Sequence, residues 1–144
     1  MTFLATSIVL LLQALAGAAV QDGSCPVLPA NSEMRWDYQQ IGDIGVCYAI
    51  EMPSGERSFG IYLGERPRME PSADKVVGKG IVGGHHVTWH KLSERYFFPE
   101  PPRFSQEALI EIDPAGQYAH VWVTASSLGQ FERRLSVLER IQFR

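Results

Sequence analysis

Four histidines are the first residues in this chain that could do chemistry: His85, His86, His90 and His120. On a helix, His86 and His90 would stand one turn apart and could hold one metal ion together. The run around them, Gly83-Gly84-His85-His86-Val87-Thr88-Trp89-His90, opens on two glycines and continues with β-branched and aromatic residues. That is a strand pattern. Along a strand the two imidazoles lie roughly 13 Å apart, too far to share an ion. His85 belongs to the other face, and no ligand spacing ties His120 to the group. His86, His90 and His120 are therefore kept as weak metal candidates beside the plainer reading of ordinary strand histidines, and no cofactor is implied. Nucleophilic hydrolysis finds no Gly-x-Ser-x-Gly and no His-Glu-x-x-His. Glu111 and His120 could form an acid–base pair only as neighbours across a turn, and structural pairing explains such neighbours equally well.

Aromatic side chains are the other chemical resource. Trp36, Tyr38, Trp89, Tyr96, Phe97, Phe98, Phe104 and Trp122 are a rich supply for a small domain, and most of them must be core. Trp36 and Tyr38, in the polar stretch Asn31 to Gln40, have the best claim to exposure. Phe97 and Phe98 precede Pro99, Pro101 and Pro102, a run that cannot join a ladder and reads as an extended crossover. These four aromatics are the candidate binding surface.

Two cysteines, Cys25 and Cys47, are the whole thiol inventory. Neither Gly-Ser-Cys-Pro nor Gly-Val-Cys-Tyr surrounds its thiol with an activating base, so a disulfide is expected rather than a nucleophile. Export agrees with this. Residues 1–20 read as a signal peptide: an apolar run from Leu4 to Leu12, then Ala16-Gly17-Ala18 in a small-x-small cleavage pattern. A retained anchor is the weaker reading, because Gln13 and the Gly/Ala-rich end do not suit a spanning helix. No stable membrane insertion is expected once the leader is cleaved. A net charge of −3 and a pI near 5.8 leave no basic stripe for nucleic acid.

Residues 21–144 then form one domain, with 21–45 as a disulfide-tethered N-terminal arm. Val46 to Met52 and Arg57 to Gly64 alternate around the turn Pro53-Ser54-Gly55-Glu56 and read as a hairpin. Gly83-Gly84 closes a second hairpin, which pairs Val82 with His85, Gly80 with Val87 and Gly78 with Trp89. That register puts Trp89 over Gly78 on the core face, and Lys79, Thr88, His86 and His90 on a polar, solvated face. Ala108 to Ile112 and Tyr118 to Thr124 are further strands, the second apolar on both faces and hence central. Ser127-Leu128-Gly129-Gln130 has the form of a capping box. It opens a helix with Leu128, Phe131, Leu135, Leu138 and Ile141 on one stripe and Arg133, Arg134, Glu139 and Arg140 outside.

The fold class that follows is α+β: an antiparallel β-sheet of about five to six strands with one amphipathic C-terminal helix. The function that follows is an exported, non-enzymatic binding module of periplasmic or secreted setting. An inhibitor or immunity-type protein acting on an envelope or secreted partner is one concrete form. The alternative is a small metal-dependent hydrolase using the strand histidines.

Overall fold

The computed structural model describes residues 25–42, 44–65, 69–92, 102–113 and 116–144. The expected signal peptide and the Phe97/Phe98 crossover lie outside them. Among the described residues there are seven strands, one or two more than expected: β1 (Met34–Ile41), β2 (Ile44–Glu51), β3 (Arg57–Gly64), β4 (Val76–Val82), β5 (His85–Lys91), β6 (Phe104–Asp113) and β7 (Gln117–Ala125). One helix follows, α1 (Leu128–Arg140). All seven strands share one antiparallel sheet in the order β1-β2-β3-β7-β6-β5-β4. Two meanders, β1 to β3 and β4 to β7, thus join where β3 pairs with β7, and β7 becomes the middle strand.

The additional strand is β1, within the segment expected to be an arm. Met34, Trp36 and Tyr38 alternate toward the core, while Arg35 and Gln39 to Ile41 are exposed. The polar outer residues hide this period in the sequence; an edge strand needs only one apolar face. Trp36 packs edge-on against Phe59, with ring centroids 5.7 Å apart. Its Nε1 donates to the Pro26 carbonyl at 2.7 Å, so the indole ties the N-terminal segment to the sheet.

One face of the sheet carries the main core. Cys47 and Ala49, Phe59 and Ile61, Ala119, Val121 and Val123, Ala108 and Ile110, and Val87 and Trp89 lie on successive strands of that face. Val137 and Leu138 of α1 cover them, with Ile141 just beyond the helix. Each side chain of this size gains about 1.5–3 kcal/mol when fully buried. The Cys25–Cys47 disulfide has formed, with the Cα atoms 5.9 Å apart, and it lies within this core. Val27 and Gln142 exchange two backbone hydrogen bonds of 2.7 and 3.0 Å, which bring the two ends of the described domain together.

The β4–β5 hairpin has the expected turn, Gly83 and Gly84 both holding positive φ (55° and 81°). The expected register holds from Val82↔His85 to Gly78↔Trp89, and then a bulge sets Val76 opposite His90. Two details of the expectation are corrected. Trp89 covers Gly80, not Gly78: a Cβ on Gly80 would lie 2.6 Å from Trp89 Nε1, whereas the space at Gly78 is open. A strand side chain leans along its strand, so its ring covers a diagonal neighbour as readily as the residue opposite. The second correction is His90, which is buried rather than solvated. Lys79 and His86 are exposed as expected.

In α1, the Ser127 hydroxyl accepts from Gln130 N–H at 3.3 Å, as the capping box requires. Gln130 Oε1 reaches back one residue further than the motif, to Ser126 N–H and its hydroxyl. Leu128 is exposed. Arg134, expected on the outer side, is 1% exposed. Residues 131, 134, 135 and 138 share one helical face, so the guanidinium is carried inward with the apolar stripe. There Nε donates to Glu51 Oε1 at 2.8 Å, Nη1 donates to the Thr124 carbonyl at 2.6 Å, and Nη2 lies 3.4 Å from Glu56 Oε1.

Candidate functional site

Alternation along a strand sends neighbours of the core residues to the opposite side. On that opposite face the observed register lines up Tyr48, Gly60, Trp122, Glu107 and His90 in one row across β2, β3, β7, β6 and β5. The next row holds Val46, Tyr62, His120 and Leu109. Two rows of aromatic and ionisable residues therefore occupy the face that α1 does not cover.

Gly60 makes the first row possible. A Cβ there would fall inside the ring of Trp122, so the indole can lie down on the sheet only over a glycine. Around it, Tyr62 sits 4.8 Å away between centroids and stacks in turn on His120 at 5.6 Å. Tyr48 meets Trp122 edge-to-face at 6.0 Å. The Arg57 guanidinium lies over the Tyr48 ring, 4.1 Å from its centroid, and 4.0 Å from Asp37 at the rim. Together Tyr48, Arg57, Tyr62, His120 and Trp122 line an open cavity of about 320 Å³, with Leu92 and Thr124 among its other walls.

Behind the rings is a buried polar pair. His120 Nε2 and Glu107 Oε2 share a hydrogen bond of 2.8 Å, and the side chains are 3% and 8% exposed. A carboxylate so deep needs such a partner, since unpaired it would bear the full desolvation cost. His90 lies directly opposite Glu107 in the β5–β6 pairing; its Nδ1 is buried without a hydrogen-bond partner among the described residues. His120 does not pair with Glu111, which stands opposite Tyr118.

The three metal candidates separate. His86 is exposed on β5, His90 is buried opposite Glu107 in the β5–β6 pairing, and His120 is bonded to Glu107. Among the described residues, no three His, Cys, Asp or Glu side chains are grouped to hold an ion. Trp36 and Tyr38 are half-buried on the core side of the sheet, apart from this cavity. One spacing escaped the sequence reading: Ser72-Ala73-Asp74-Lys75 is a Ser-x-x-Lys. Its hydroxyl is bound to Asp74, which holds that carboxyl below its ordinary value, and Asp74 and Lys75 are exposed on a short 3-10 turn. Nothing there poises Ser72 for attack.

Comparison with protein-family models, with curated proteins and with solved structures found no match. The cavity is thus read on its own geometry. Sequence reasoning missed Tyr48, Arg57, Tyr62, Glu107 and Trp122 as site residues. A signal existed in β7, whose second face carries Tyr118, His120 and Trp122, residues that suit a wet aromatic wall as well as a core. Among the described residues no helix is long and apolar enough to cross a membrane.

Proposed function

We propose that the protein is an exported, non-enzymatic binding module that takes a small ligand in the aromatic cavity on the sheet face opposite α1. The observation that carries this reading is the concentration of half-buried Tyr48, Tyr62 and Trp122 around one cavity of about 320 Å³. A concave site lined by aromatic side chains with a few polar groups is the usual form of a small-molecule site. The volume falls at the lower end of small-molecule pockets, which span roughly 300–1,000 Å³. A small ligand therefore suits it better than the protein surface an inhibitor would present. The formed disulfide supports export, because such bonds persist in oxidising compartments.

A metal-dependent hydrolase gains no support from the geometry. His86 stands apart, and the Glu107 oxygen nearest His120 is already bonded to it.

Ligand-observed NMR with a set of one- and two-ring aromatic compounds tests the binding reading. Binding should be lost in Trp122→Ala and retained in His86→Ala, with thermal melts confirming that both variants fold. Equal binding by Trp122→Ala would place the ligand elsewhere and overturn it. N-terminal sequencing of the protein recovered from periplasm or medium tests export. A start between Ala19 and Gln21 is expected, and an intact Met1 would contradict it.

A further inference from the structure

Resting on that reading of the cavity, we infer that its ligand is a planar aromatic acid, with the ring on Trp122 and the carboxylate on Arg57. Among the nine described residues that line the cavity, Arg57 alone carries a fixed charge, and that charge is positive. A cationic ligand would meet a like charge, and Arg57 already occupies one face of the Tyr48 ring. An anionic ligand meets the reverse situation. The guanidinium is planar and presents five N–H donors in a fork that fits a carboxylate. Stacking on Tyr48 holds that plane in place without using the donors at its edge.

Asp37 is the competitor, and it is a weak one. Its carboxylate is 4.0 Å from the guanidinium, and the two side chains are 57% and 42% exposed for Arg57 and Asp37. An exposed pair at that distance contributes little, so sharing Arg57 with a ligand costs little. The ring half of the ligand is placed by Trp122. Its indole rests on Gly60 and is only half-buried, and Tyr48 touches both the indole and the guanidinium. Ring surface and positive charge are therefore about one ring's width apart. A flat arene carrying an acid on a short arm spans that gap. A sugar would need a circle of polar partners, where these walls offer mainly ring faces.

The test is isothermal titration of the folded protein with three probes that differ in one group: indole-3-acetate, indole-3-acetamide and tryptamine. The acid should bind about ten-fold more tightly than the amide, and the amine most weakly. Arg57→Gln should remove the difference between the acid and the amide. Arg57 is largely exposed at the rim, so its loss should not unfold the domain, and a thermal melt checks this. Equal affinity for acid and amide, or a preference that survives Arg57→Gln, would overturn the acid inference and leave the aromatic cavity standing. If none of the three binds, or if Trp122→Ala leaves every affinity unchanged, both fall. Binding of a neutral glucoside at this cavity, with no binding of the acid, would replace the aromatic acid by a carbohydrate.

Discussion

Gly60 decides whether the cavity exists. In most strands a glycine is a weakness, and exchange for Ala gains about 0.5–1 kcal/mol. At position 60 the sign should reverse, because the new methyl group would enter the ring of Trp122. Overpacking of this kind costs about 1–3 kcal/mol. Gly60→Ala is thus expected to lower stability in urea denaturation and to weaken ligand binding together, since the displaced indole is the cavity floor. A stabilised Gly60→Ala protein would mean that the indole does not lie on the sheet. Sequence alone does not reveal this glycine, because its partner Trp122 is 62 positions away and nothing local links them. Arg134 is hidden for a related reason: a charged residue beside Arg133 reads as a solvated helix face. Only the tertiary positions of Glu51, Glu56 and the Thr124 carbonyl show that a guanidinium can be satisfied inside.

At the scale of elements, legibility follows sequence distance. The β4–β5 hairpin was readable to within its bulge because Gly83-Gly84 fixes the turn, and the turn fixes the register. The cap and the apolar stripe of α1 were readable for the same local reason. The pairing of β3 with β7 was not, since the two strands are separated by a whole meander; and the cavity is built across that pairing. A strand-by-strand test separates the two faces of β5. Trp89 is 5% exposed in the core, and Trp89→Ala should cost about 3–5 kcal/mol in chemical denaturation. His86, an exposed neighbour on the other face, should tolerate Ala within about 0.5 kcal/mol. Similar losses for both would mean that β5 does not alternate between core and solvent as its register requires.

Across the whole molecule, the disulfide and the cavity lie on opposite faces of one sheet. Cys47 and Tyr48 are consecutive in β2; the first bonds Cys25 in the core and the second lines the cavity. Successive strand residues project to opposite sides, so the bond and the ligand are separated by the thickness of the sheet. The cross-link spans a sequence separation of 22, and closing a loop of that size stabilises by about 3 kcal/mol through the unfolded chain. Its loss does not remove the β1–β2 ladder, the Trp36 hydrogen bond or the Val27–Gln142 bridge, which also hold the N-terminal segment. The protein as isolated should show no reactive thiol under denaturing, non-reducing conditions. The Cys25→Ser/Cys47→Ser double variant should fold and melt lower by on the order of 10 °C. At a temperature well below that melt it should bind the cavity ligand as the parent does, because Tyr48, Tyr62 and Trp122 project to the face opposite the bond. Two titratable thiols in the parent would remove the oxidised state and with it the support for export. A variant that stays folded but loses binding would show instead that the two faces of the sheet are coupled.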